Sequence, residues 1–227
     1  MTGNSHDDCQ VLLLGGVSGT GKTTVAAEIG RQFGIPWFQV DDLRLALQCS
    51  KVSLPEKTEA LYFFADIDEK PRIWQQPPDV LRDALIATGD VLSPALEAII
   101  ENHLDQRHPI VIEGDGIMPS LLARPAIQRR AHDRRLRAVF LVESDEQALF
   151  SHMLVRSRGP SWMDESELRT EAHVKWLFGQ WLVDEANRYS LPVLEPRPWE
   201  TLIHRIMTTC TGMARSTQTP PIVEQPR

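Results

Sequence analysis

The chain has 227 residues, 42% hydrophobic and 24% charged, which suffices for one sizeable core and falls short of two. Its formal net charge of −7 argues against broad binding to nucleic acids or membrane surfaces, and no run approaches the roughly 18 apolar residues that a bilayer span needs. Cys9, Cys49 and Cys210 lie far apart without a CxxC pair, and the N-terminus lacks a signal peptide's basic and apolar regions, so a cytoplasmic protein without disulfides or a zinc site is expected.

In chain order, Val11–Leu14 is an apolar run closed by Gly15 and Gly16, which predicts a buried strand. Val25, Ile29 and Phe33 then recur at helical spacing until Gly34 and Pro36 end the pattern. Trp37–Val40 predicts a second strand, and "DDLRLAL" opens a helix with two acids in its first turn. From Pro55 to Arg107 the pattern is mostly helical, broken at Pro77–Pro78, and predicts a helical insertion over the sheet. "PIVIEG" and "RAVFLVE", both rich in β-branched residues, predict strands three and four, and Leu191–Leu194 a weaker fifth.

Ser144 with Gln147, and Asp164 with Glu167, read as capping boxes at the starts of two helices, the second of them long and amphipathic through Val174, Phe178 and Leu182. The arginine cluster "RRAHDRRLR", Arg129–Arg137, reads as a solvated helix end or loop, with a partner site as the alternative. Residues 1–214 are expected to form one domain, and the polar, proline-rich 215–227 a disordered tail. Strands alternating with helices require a mainly parallel sheet covered on both faces, an α/β fold.

The chemistry starts in the first loop. Gly16-Val17-Ser18-Gly19-Thr20-Gly21-Lys22-Thr23 fits GxxxxGK[ST] between a strand and a helix, the context in which backbone N–H groups and a helix N-terminus cradle phosphates. Gly16, Ser18, Gly19, Thr20, Gly21, Lys22, Thr23 and Thr24 are the candidate nucleotide contacts, with Lys22 reaching the β- and γ-phosphates and the Thr23 hydroxyl on Mg2+.

Four further segments follow candidate strands or helices where a ligand crevice forms in a parallel sheet. Asp41 is the candidate base for an attacking hydroxyl, with Asp42 and Arg44 to hold the acceptor; either aspartate also suits a helix cap. In "IVIEGDG", Glu113 is the candidate second metal contact and Asp115 a substrate contact; a solvated strand-end acid is the alternative for each. In "VRSRGP", Arg156 and Arg158 precede a Gly-Pro hinge and suit a mobile lid over about 156–165 that stabilises the transferring phosphoryl group, though a helix C-terminus also favours arginines. Arg197 or Pro198 in "EPRPW" is a candidate adenine contact, an ordinary proline-rich loop being the alternative. No NKxD-type guanine reader occurs, which favours ATP, and the histidines lack metal-ligand spacing.

These segments, in this order over roughly Val11 to Glu195, resemble the small P-loop kinases of the nucleoside-monophosphate-kinase-like group, which includes shikimate, gluconate and adenylylsulfate kinases and chloramphenicol phosphotransferase. The strongest likeness is to the 2-phosphoglycerate kinase family, where a GGxSGxGK loop, a D-S-I-R helix start and an IEGVHLVPG segment resemble Gly15–Thr23, Asp41–Arg44 and Ile112–Ser120. The resemblance implies a three-layer P-loop fold with a five-stranded parallel sheet of order 2-3-1-4-5, ATP and Mg2+ across the first loop, an arginine lid, and a small-molecule hydroxyl acceptor such as a 2-phosphoglycerate-like compound, a sugar or an antibiotic. A monomer or homodimer is expected. Asp115 and Gly116 stand where that family has valine and histidine, and the added carboxylate suits a neutral or amine-bearing acceptor. A zeta-toxin-like kinase of sugar nucleotides and a non-catalytic ATP sensor are the alternatives.

Overall fold

A computed structural model describes residues 9–54, 56–65, 73–130, 135–155 and 164–215. Strand β1 (Val11–Gly16) is buried along its whole length and lies at the centre, paired in parallel with β3 (Ile110–Glu113) on one side and β4 (Leu136–Leu141) on the other. β2 (Trp37–Gln39) extends the sheet beyond β3 and β5 (Val193–Leu194) beyond β4, which gives the order 2-3-1-4-5, all parallel. The register sets Leu14 beside Glu113, so the loop that follows β1 and the acid that ends β3 leave the sheet at one edge.

Strand alternation sorts the side chains into two cores. Leu13, Ile112 and Phe140 face one way, against Leu92, Leu96 and Ile100 of α4 (Pro78–Gln106) and Phe178 and Leu182 of α7 (Glu165–Arg188). Leu12, Leu14, Val139 and Leu141 face the other way, against Val25, Ala26 and Ile29 of α1 (Lys22–Phe33) and Leu202, Ile206 and Cys210 of α8 (Leu202–Arg215). This is the three-layer arrangement that the resemblance implied.

Between β2 and β3 come α2 (Val40–Cys49), α3 (Thr58–Tyr62) and the 29-residue α4. Pro77 and Pro78 mark the start of α4, with Pro78 in the first turn, where its missing N–H costs nothing. The C-terminal half of α4 packs on the sheet as the crossover into β3, so only the part before it stands over the sheet edge as an insertion.

Several boundaries differ from the sequence reading. α6 (Glu146–Val155) is capped by Asp145, whose Oδ1 accepts from the N–H groups of Gln147 and Ala148 at 2.9 and 3.3 Å; Ser144 stands one residue too early for that role. The Asp164–Glu167 capping box forms as expected and starts α7, so the last two residues of the expected lid belong to that helix. Its first eight, 156–163, lie outside the described residues, as do 216–227 of the expected tail, 131–134 of the arginine cluster and Pro55 of the insertion. The helix at 202–215 was not anticipated, although Leu202, Ile206 and Cys210 recur every fourth residue. α5 (Pro125–Arg130) is a short connector before β4.

Candidate active site

The loop after β1 is shaped by close approach and by one carbonyl. Gly16 has φ +130°, and a Cβ there would fall 2.1 Å from the Leu141 carbonyl oxygen, so no side chain fits between β1 and β4. Val17 N–H donates to that same oxygen at 3.1 Å and ties the loop to β4. The Val17 carbonyl in turn accepts from Thr20 N–H, from Thr20 Oγ1 at 2.7 Å and from Lys22 Nζ at 2.8 Å. Gly21, at φ +78°, then turns the chain into α1, and the Trp199 ring lies 2.4 Å from where its Cβ would sit.

Thr20 is buried and spends its hydroxyl on the loop itself. Ser18, Gly19, Gly21, Lys22, Thr23 and Thr24 line a cavity of about 320 Å³ in front of α1, completed by Gln39, Asp41, Glu113 and Asp115. Gly16 stands behind it at the strand end. The N-terminal turn of α1 opens onto this cavity, and the positive end of its dipole favours an anion there.

Glu113 and Asp115 leave β3 on opposite sides of Gly114. Glu113 accepts a 2.8 Å hydrogen bond from Thr23 Oγ1 and is 3% exposed. Burial pushes its carboxyl above the ordinary range, against the Thr23 bond and the Lys22 charge, while Asp115 and Asp41 add to the rise. Asp115 accepts from Lys22 Nζ at 2.9 Å. Burial alone would push its carboxyl up, but the Lys22 charge and hydrogen bond, with Lys175 and Arg44 behind them, outweigh that and hold it below the ordinary range.

The Thr23 and Glu113 oxygens, side by side, fit Mg2+, which takes hard oxygen ligands and completes its shell with phosphates and water. Among the described residues no group of three or more His, Cys, Asp or Glu side chains could hold a metal unaided, so the phosphates of a bound nucleotide would have to supply the rest.

A second cavity, of about 180 Å³, adjoins the first. The two share Ser18, Asp41 and Asp115. Its apolar wall is Phe64, Leu85, Leu92 and Phe178, and its polar groups include Arg44, Thr88 and Lys175. Asp41 is paired with Arg44 at 3.1 Å. The helix that carries both begins at Val40 with Gln39 at its N-cap and no side-chain cap bond, so neither Asp41 nor Asp42 serves as the cap. Asp42, one residue and about 100° round the helix from Asp41, is exposed and lines neither cavity.

Arg197 also lines neither cavity. Its guanidinium donates to the buried Glu143 at 2.8 Å, a bond that raises its already high basicity, and it lies 4.0 Å from Asp145. The ring beside the phosphate loop is Trp199, two residues on, with His152 of α6 at a ring-centroid distance of 6.0 Å. Lys175, Thr88, Phe64 and Leu85 were not singled out in the sequence. They come from elements far apart in the chain, and no local pattern marks them. Arg156 and Arg158 lie outside the described residues.

Strand order, loop and parallel sheet together define a P-loop fold. No family model matches the chain. It is similar to 2-phosphoglycerate kinases from Methanothermobacter thermautotrophicus, 26% identical over 88% of this chain and 65% of that protein, and Methanopyrus kandleri, 20% identical over 87% and 59%. A 2-phosphoglycerate kinase from Methanocaldococcus jannaschii is 23% identical over 82% of this chain and 58% of its own length. The chain thus spans roughly three fifths of the length of these curated relatives, and the likeness to P-loop kinases read from the motifs extends to overall sequence similarity. Among solved structures, it is similar to a gluconokinase from Sinorhizobium meliloti, 19% identical with a TM-score of 0.48 over 93% of this chain and 97% of that one. A shikimate kinase from Aquifex aeolicus is 16% identical, with a TM-score of 0.46 over 90% and 98%.

Proposed function

We propose that the chain is an ATP-dependent kinase that moves the γ-phosphoryl group of ATP to a hydroxyl of a small molecule. The observation that carries this reading is the meeting of two cavities at Asp41 and Asp115, one built for phosphates and the other for a compact polar molecule.

In this reading the loop amides and Lys22 bind the β- and γ-phosphates, and Thr23 with Glu113 would hold Mg2+, whose charge would offset that of the phosphates. An acceptor in the second cavity presents its hydroxyl across the shared wall. Asp41, held by Arg44, orients that hydroxyl and takes its proton as the acceptor oxygen bonds to the γ-phosphorus and the bond from phosphorus to the ADP oxygen breaks. Arg156 and Arg158 stabilise the charge on the transferring group, and Trp199 offers a ring to the adenine near the loop. Arg197, engaged with Glu143, serves that loop from behind.

Size narrows the acceptor. A cavity of about 150 Å³ holds a benzene ring, so about 180 Å³ seats a compound of similar bulk, such as a short-chain acid or a single sugar-like ring. A sugar nucleotide would leave most of itself outside. Asp115 does not stand as a bare negative charge, because Lys22, Arg44 and Lys175 compensate it, so an anionic acceptor of the 2-phosphoglycerate kind is admissible after all. Among the described residues no helix is long and apolar enough to cross a membrane.

The test is ATP consumption against a panel of small hydroxy acids, sugars and hydroxylated antibiotics beside sugar nucleotides. Turnover that appears only with one small hydroxyl compound supports the kinase. Turnover with the sugar nucleotides alone supports the toxin-like alternative, and ATP binding without turnover on any of them supports a sensor.

A further inference from the structure

Lys22 is not waiting for phosphate with its charge free. Its side chain is 5% exposed, and its ammonium is held at 2.9 Å by Asp115 and at 2.8 Å by the Val17 carbonyl. Asp115 keeps 34% of its surface open and lines both cavities. A phosphate chain in the first cavity therefore has to compete with a carboxylate for the one lysine of the loop. Only a ligand whose phosphates extend to the β position reaches that lysine.

We infer that Asp115 is a competing counter-ion on the phosphate loop: it occupies Lys22 until a β-phosphate takes the lysine over, and so weakens the binding of nucleoside di- and triphosphates while leaving that of monophosphates unchanged. The inference rests on the phosphate-loop reading above. When Lys22 turns to the nucleotide, Asp115 still feels the charges of Arg44 and Lys175, which line the acceptor side of the wall although Arg44 is paired with Asp41 and Lys175 with Glu171. The competition costs affinity, since an ion pair at this distance in a partly dehydrated cleft has to be exchanged rather than simply gained. A phosphate too short to reach Lys22 takes no part in this exchange, so its affinity does not depend on Asp115.

Titration calorimetry of the full chain with AMP, ADP and ATP, for wild type, Asp115→Asn, Lys22→Ala and the double variant, tests this. Asp115→Asn keeps the shape and cannot hold the lysine by charge, so ADP and ATP are expected to bind about tenfold tighter or more, with AMP within about twofold of wild type. In the Lys22→Ala background the same substitution is expected to change nothing, because the partner is gone. Asp115→Ser serves as the second variant if the asparagine protein does not fold, with the same expectation. Unchanged or weaker ADP binding overturns the inference, as does a gain shared equally by AMP or one that persists without Lys22. A wild-type chain that binds none of the three nucleotides overturns the kinase reading and this inference together, whereas wild-type binding without a gain in the variants overturns only the inference.

Discussion

The two cavities that meet at Asp41 and Asp115 are built in opposite ways. The phosphate cavity is mostly backbone and side chains from one run, Ser18 to Thr24, held by the Val17 carbonyl and by contact with β4. The second cavity is mostly side chains from α2, α4, α7 and the turn at Phe64, drawn from positions as far apart as Val40 and Phe178. The first has the shape of a motif, and the motif fixes its ligand class as phosphate in the proposed function. The second is the product of packing, and it is there that one kinase would differ from another.

Substitutions that break this contrast fall into a sequence of expected effects. Lys22→Ala strikes the shared, motif-built half and should lower phosphoryl transfer by about 10²–10³ whatever the acceptor, measured as initial rate at saturating substrates. It should also cost some stability, since Asp115 loses its closest partner; a melting temperature equal to wild type would mean that the pair is not formed in solution.

Asp41→Asn acts at the border. It should lower transfer by about 10² while leaving ATP affinity and stability within about 1 kcal/mol, because its pair with Arg44 is solvent-exposed and worth little. Removing both Arg156 and Arg158 should likewise lower kcat by about 10² with little loss of nucleotide affinity, as their charge is needed mainly in the transition state.

Lys175→Gln sharpens the contrast from the other side. For an anionic acceptor it should raise the acceptor KM by about tenfold, the loss of one charged contact, with the KM for ATP unchanged. Equal changes in both would mean that the cavities are not separate sites.

The smallest effect concerns pH. Glu113 has its carboxyl raised by burial, so its folded form favours the proton, and the stability this contributes is present at low pH and lost as pH rises from the ordinary glutamate range through the raised value. Asp115 has the opposite sign: its contribution is present above the ordinary aspartate range and lost as pH falls through the depressed value. Glu113→Gln should therefore flatten the fall in melting temperature above the glutamate range and leave the acid side, which Asp115 governs, in place.

The same contrast governs what could be read from the sequence. The loop, both strands beside it, the acid that ends β3 and the acids that follow β2 were legible because each is a local pattern whose place follows from the strand–loop–helix order. The sequence sets Asp41 apart from Asp42 as the candidate base yet still offers Asp42 to the acceptor; a helix beginning at Val40 turns adjacent residues to different sides and leaves only Asp41 of the two on the cavities. Ser144 and Asp145 posed the same problem, because both are good caps and one residue decides which reaches the free N–H groups. Asp115 was visible as a charge, but its pairing with Lys22 was not, because contact between positions 22 and 115 depends on the pairing of β1 with β3. Lys175, Thr88 and Phe64 carried no local signal at all: each looks like an ordinary helix or turn residue until α4 and α7 pack side by side.

The central claim is that phosphate leaves one cavity and arrives in the other across Asp41. It is tested most directly by following the label from γ-labelled ATP into product, with wild type and Asp41→Asn side by side at equal nucleotide occupancy and the small hydroxyl compounds supplied as acceptors. The account predicts label on a small acceptor with wild type, and about 10²-fold less with Asp41→Asn although it still binds ATP. Label released only as inorganic phosphate, or equal transfer by both proteins, would contradict it.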